Sequence, residues 1–134
     1  MREYKFRGRD EHGVWHYGYL ANIRLQSFPR WDSPTVIRFA EIVDEDDLTN
    51  RVDPDTVGQY TGLRDSDGRG IYEGDIIKVR TQNPYWRFRR NFVVEWGTDG
   101  WLLDGDSLYS WFSLHTLEVI GNIHDNPGLL EQRP

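Results

Sequence analysis

The chain contains no cysteine, and that absence removes three kinds of chemistry at once: a disulfide framework, a thiol nucleophile and a thiolate-held zinc. It has one methionine and few alanines, so the composition does not favour a helical bundle. No stretch approaches the roughly 20 apolar residues of a membrane span, and the opening Met1-Arg2-Glu3-Tyr4-Lys5-Phe6 holds no run of signal-peptide length. The expectation is a soluble, cytoplasmic protein with no membrane partner. Also missing are a Gly-x-Ser-x-Gly elbow and a Gly-rich phosphate loop of the Walker or dinucleotide type. Ser113 stands two residues before His115, but closeness in sequence is not triad geometry. Asp104 and Asp106 form a carboxylate pair, yet they flank Gly105 in an evident turn. No catalytic residue, cofactor or resident metal is assigned, and the chain reads as a non-enzyme.

What the chain has in quantity is aromatic surface: six Trp, seven Tyr and six Phe among 134 residues. Such side chains favour pleated, half-buried surfaces, so strands are expected rather than helices. The length suits a single domain over residues 1–134 built on one core. The formal net charge of −6 is unevenly placed. Glu41, Asp44, Glu45, Asp46, Asp47, Asp53 and Asp55 face only Arg51 within 41–55, which accounts for all of it. Within 78–90, Lys78, Arg80, Arg87, Arg89 and Arg90 meet no acidic residue. A nearly neutral body thus carries one acidic and one basic loop.

Periodicity along the chain is two, not 3.6. Tyr4 to Arg7 alternates, Asp10-Glu11-His12-Gly13 supplies turn residues, and Val14 to Tyr19 alternates again, which reads as a hairpin. Pro29, Ser33 and Pro34 bracket an irregular stretch before a strand over 35–43, followed by the acidic loop. Asp53-Pro54 offers an N-cap and a first-turn proline for one helical turn through Thr56. Turn formers from Gly62 to Gly70 predict a hairpin with its tip at Asp65–Gly70. Strands then follow at 76–79, 92–96, 101–103, 108–112 and 117–123, with Asp99-Gly100 and Gly105 as turns. Asn126-Pro127 opens a last turn in which Leu129 and Leu130 pack. The fold class is all-β: short antiparallel strands and hairpins with at most one or two short helical turns. No internal repeat is evident.

Three constellations invite a ligand. Asp65-Ser66-Asp67-Gly68 has the spacing that opens a calcium loop, but Arg69 and Ile76 fall where ligands are required, and a hairpin tip needs the same residues. His12 and His16 would share a helical face, but one belongs to a turn and the other to a strand, so a metal would need His115 or His124 as well. The basic loop combines Arg80, Arg87, Arg89 and Arg90 with Tyr85 and Trp86, a composition suited to single-stranded nucleic acid. Plain strand alternation, with Trp86 and Phe88 turned inward, explains the loop equally and is preferred. The acidic residues Asp44, Glu45, Asp46 and Asp47 offer a surface for a basic protein partner. Acidic loop against basic loop would join copies of the chain head to tail and weaken with salt.

The run from Val57 to Val79, with Gln59, Tyr60, Gly62, Tyr72, Glu73, Gly74 and Asp75 at fixed spacing, resembles the centre of the YopX family. Lys5-Phe6-Arg7-Gly8-Arg9-Asp10, Val52 to Val57 and Leu117 to Pro127 resemble its other segments in the same order, covering nearly the whole chain. The resemblance implies a small phage or prophage protein with a bent sheet curled into a pseudo-barrel, and implies no reaction or ligand. The functional expectation is a non-catalytic protein-interaction or self-assembling module, with a phage protein, a host protein or a second copy as partner. Nucleic-acid binding through the basic loop is the second reading and an unrecognised enzyme the third.

Overall fold

The computed structural model describes residues 5–28, 35–81, 88 and 90–131, with 22–28 and 35–38 as backbone only. Its strands form antiparallel sheets with one short α-helix, and no closed barrel among the described residues. The all-β expectation holds. The sheets bend at two register shifts, one between Leu20 and Asn22 against Ile42 and Glu41, and one between Val119 and Gly121 against Ile77 and Ile76, as extra residues in a ladder require. No described helix is long and apolar enough to cross a membrane. The contacts gather into two compact units, 1–60 and 61–134.

The first unit holds β1 (Phe6–Arg9), β2 (Trp15–Phe28), β3 (Thr35–Val43) and β4 (Thr49–Val52), in spatial order β4-β3-β2-β1. Gly58 and Gln59, which open β5 (Gly58–Arg64), lie against Arg7 and Phe6 of β1. Ala40, Ile42 and Val52 are buried, with Phe6, Leu20 and Val57 packed on them. Gly18 sits where an added Cβ would strike the Val43 carbonyl, so β2 and β3 approach as closely as backbones allow. A 3-10 turn at Pro54–Thr56 follows the predicted cap: Asp53 accepts the Asp55 N–H at 3.0 Å. The Asp53 N–H in turn donates to the Arg9 carbonyl, and the Arg9 N–H to Thr56 Oγ1.

The second unit continues β5 beside β6 (Gly70–Tyr72) and adds β7 (Asp75–Arg80), β8 (Phe92–Gly97), β9 (Gly100–Leu103), β10 (Asp106–Ser107) and β11 (Thr116–Asn122). The last five lie in the order β10-β9-β8-β7-β11. Ile71, Ile77, Val79, Phe92, Val94, Leu103, Leu108 and Leu117 form its core. Each such side chain removed from water contributes about 1.5–3 kcal/mol.

Three segments differ from the sequence reading. Residues 108–112, expected as a strand, lie in α1 (Leu108–Leu114). Leu108, Trp111 and His115 recur at helical spacing on the packed side, and Trp111 Nε1 donates to the Leu103 carbonyl at 2.7 Å, which anchors the helix over β9. With this helix and 3-10 turns at Pro54–Thr56 and Pro127–Leu130, the limit of one or two short helical turns is exceeded. Residues 49–52 form β4 rather than belonging to an acidic loop, and β2 runs on to Phe28.

Candidate functional site

Three hairpin tips share one construction. In Asp10-Glu11-His12-Gly13-Val14, Asp44-Glu45-Asp46-Asp47-Leu48 and Asp65-Ser66-Asp67-Gly68-Arg69, the first Asp and the fifth residue close the loop with a backbone bond of 2.8 to 3.0 Å. One carboxylate oxygen of that Asp accepts the N–H of the third and fifth residues. The fourth residue takes positive φ: Gly13 at 80°, Asp47 at 60° and Gly68 at 82°. This is a type I turn closed by a left-handed residue, with the aspartate substituting for backbone acceptors.

The second carboxylate oxygen distinguishes the tips. Asp10 Oδ2 accepts from His16 Nε2 at 2.8 Å, Asp44 Oδ2 from Asn50 Nδ2 at 3.1 Å, and Asp65 Oδ2 from the Val119 N–H at 2.9 Å. The His16 bond, followed by the Val14 N–H, holds the Asp10 carboxyl down to about 2. Asn50 and then the Leu48 N–H lower that of Asp44. The calcium reading of the Asp65 loop is unnecessary, because its leading carboxylate is consumed by three backbone donors. Among the described residues no three His, Cys, Asp or Glu side chains converge as a metal site would need. His12 is in a turn and His16 in β2, as their sequence setting implied.

The acidic surface candidates therefore divide. Asp44 is an internal acceptor and Asp47 holds the left-handed position, while Glu45 and Asp46 point their charge at solvent. Of the basic-loop candidates, Tyr85, Trp86, Arg87 and Arg89 lie outside the described residues. Arg80 pairs with Glu118 at 2.9 Å and Arg90 with Asp104 at 2.6 Å. Phe88 turns toward the core, with ring centroids 5.3 Å from Trp111 and 5.2 Å from His115. That inward placement is what strand alternation predicted for it. Ser113 Oγ donates to the Tyr109 carbonyl rather than addressing His115.

The Tyr72-to-Asp75 turn joins β6 to β7 around a buried carboxylate. Asp75, 1% exposed, accepts the Tyr72 N–H at 2.7 Å. Gly74, at φ 87°, donates to the Val94 carbonyl and accepts from the Ile123 N–H, both at 2.9 Å. Tyr60 and Tyr72 are buried, Glu73 is half-buried, and Gln59 and Gly62 are exposed, Gly62 at φ 88°. Gly74 thus ties the turn to β8 and to Ile123, and the Tyr60 N–H donates to the Lys5 carbonyl.

Two features of the second unit were not read from sequence. Trp96 is 60% exposed and meets Trp101 edge-on at 4.7 Å, while Tyr109 (56%) and Phe112 (45%) stand one turn apart on α1. Only the aromatic abundance hinted at this. The other is a half-open cavity of about 340 Å³ walled by Arg90, Asn91, Phe92, Glu95, Asp104 and Leu130 among others. Nothing in the local sequence marks Asn91 as part of it.

A chain of bent antiparallel sheets, aspartate-closed hairpins and one short helix defines a small all-β protein. The model of the YopX protein family matches residues 5–131, and the chain belongs to that family. Among solved structures it is similar to protein EF1440 from Enterococcus faecalis, with 22% identity, a TM-score of 0.52, and coverage of 94% of this chain and 96% of that one. That likeness is one of fold. A search of curated proteins found no match.

Proposed function

We propose that this protein works by binding another protein surface, in the first instance a second copy of itself, rather than by catalysis. The observation that carries this is the exposure of three large aromatic side chains of the second unit, Trp96 on β8 and Tyr109 and Phe112 on α1. Large aromatic side chains are enriched at protein interfaces, and their burial there recovers the apolar transfer energy forgone in the free chain. The setting is that of a phage or prophage protein acting in the host cytoplasm, in line with the absence of cysteine. The contact is apolar at its centre, and Glu45 and Asp46 are left for steering.

Light scattering on the purified protein tests the reading. A mass above the 15.9 kDa of one chain that persists in high salt, and falls to that of one chain in Trp96→Ser/Phe112→Ser, is the expected result. An oligomer that dissolves with salt and ignores those substitutions would transfer the contact to the acidic and basic loops. A single-chain mass at all concentrations would remove self-association. Nucleic-acid binding has less support, since the described arginines of the basic loop are already paired with carboxylates and Phe88 faces inward.

A further inference from the structure

We propose that the outer edge of β4 is a docking site for an extended segment of another protein that carries Lys or Arg at both of its ends and adds to the sheet as a further strand. β4 (Thr49–Val52) is the outermost strand of its sheet, with β3 on one side only. The Asp44 N–H donates to the Leu48 carbonyl at 3.0 Å, and beyond that pair Asn50 lies opposite Ile42 and Val52 opposite Ala40. Bonded and unbonded pairs alternate along an antiparallel ladder, so Asn50 and Val52 bond to β3 while the backbone N–H and C=O of Thr49 and Arg51 point away from it. Asp53 follows the same alternation, and its N–H leaves the edge for the Arg9 carbonyl at 2.8 Å. The outward groups of Thr49 and Arg51 have no hydrogen-bond partner among the described residues, and both residues are exposed.

Edge strands are commonly blunted against such pairing, and this chain does so at β11, which is outermost in the other sheet. There the 65–69 tip closes the edge: the Leu117 carbonyl accepts the Ser66 N–H at 2.9 Å, the Val119 N–H donates to Asp65 Oδ2 at 2.9 Å, and the Val119 carbonyl accepts from Arg69 at 3.3 Å. No described segment does the same for β4. Its one charged side chain, Arg51, lies over the Phe39 ring of β3 at 4.2 Å, on the face of the sheet rather than across the edge. Charge then selects the occupant. Glu45, Asp46 and Asp47 stand before the open stretch and Asp53 after it, all exposed and none in an ion pair among the described residues. A strand of about seven residues laid along 47–53 brings its two ends to these carboxylates. Basic ends are drawn in and acidic ones repelled. Leu48, 61% exposed, gives apolar contact between them, and the backbone bonds hold the segment whatever its central side chains.

The test uses three peptides: acetyl-Lys-Thr-Val-Thr-Val-Thr-Lys-amide, the same peptide with Glu at both ends, and the Lys peptide with two successive central amides N-methylated. Each is titrated into the full chain while the Thr49 and Arg51 backbone amides are followed by nitrogen-correlated NMR and by exchange with deuterium. The Lys peptide should shift both amides saturably and slow their exchange, several-fold more weakly in high salt, with no response to the other two. Glu45→Lys/Asp46→Lys alters only side chains that face solvent and should weaken the Lys peptide several-fold. Thr49→Pro removes an outward N–H without touching the ladder to β3 and should abolish binding. No saturable shift with the Lys peptide up to millimolar concentration would overturn the site. Equal binding of the N-methylated peptide would overturn strand addition, and preference for the Glu peptide would overturn the charge class. Shifts at Thr49 and Arg51 that grow with protein concentration alone would give the edge to a second copy and overturn the assigned partner. The contact through Trp96, Tyr109 and Phe112 is tested separately, because those residues belong to the second unit.

Discussion

Asp65 Oδ2 accepts the backbone N–H of Val119 at 2.9 Å across 54 positions of sequence, so one carboxylate both closes a hairpin and fastens it to β11. The Ser66 N–H adds a second tie to the Leu117 carbonyl at 2.9 Å. Replacing Asp65 by Ala leaves three N–H groups without their acceptor. A loss of about 3 kcal/mol is expected, from unmet buried or half-buried donors at about 1 kcal/mol each. Urea unfolding measures it, and Asp65→Asn, which keeps one oxygen, should fall between Ala and the parent. A change within error for Asp65→Ala would show the tie to be incidental.

Asp47 occupies the left-handed position that glycine fills in the other two tips. An L-residue there costs about 1–2 kcal/mol relative to glycine, less for Asp, and glycine gives some of that back through its freer unfolded chain. Asp47→Gly should therefore stabilise by about 0.5 kcal/mol, visible as a higher urea midpoint at unchanged slope. Asp47→Val, β-branched and intolerant of positive φ, should lower it.

Asp10 and Asp44 make stability depend on acid in a defined direction. Both carboxyls sit below the usual value of 3.8 in the folded chain, Asp10 at about 2. A carboxyl depressed by folding contributes stability above its unfolded value and loses it as pH falls through the folded one. The contribution of Asp10 should fade from about pH 4 down toward about pH 2. Denaturation midpoints taken across that window should fall less steeply in Asp10→Asn, which cannot take up the proton.

Arg80 and Arg90 both carry exposed ion pairs, and such pairs contribute at most about 1 kcal/mol. Arg80→Ala and Arg90→Ala should each unfold close to the parent midpoint in salt. If an oligonucleotide did bind, the two variants would reduce the salt slope of that binding, and titration by fluorescence anisotropy at two ionic strengths reads this directly.

Most strands were legible because their ends carry residues with only one easy use. Asp-x-x-Gly at 10–13 and 65–68 placed two hairpins, and Asp53-Pro54 placed a 3-10 turn to the residue. The 44–48 tip hid its β4 partner, since Asp47 replaces the expected glycine and the surrounding charge reads as a loop. Leu108 to Phe112 is too short and too aromatic to separate strand from helix locally, and the bond of Trp111 to the Leu103 carbonyl, which anchors the helix, is a tertiary contact. Asn91 was illegible for a different reason: its amide is held by the Leu129 carbonyl, 38 positions away, which reaches it only after β8 and the last turn are in place.

The shared tip also makes parts of this chain exchangeable. The first two tips close on partners six residues away, His16 and Asn50, so each carries its whole bonding set within its own hairpin. Residues 10–16 and 44–50 could trade places with these hydrogen bonds kept, losing only the pull that His16 exerts on the Asp44 carboxyl. The third tip could accept neither, because its outer oxygen answers to Val119. Insertions and grafts will be tolerated at two of these corners, and the remaining one behaves as a fixed joint.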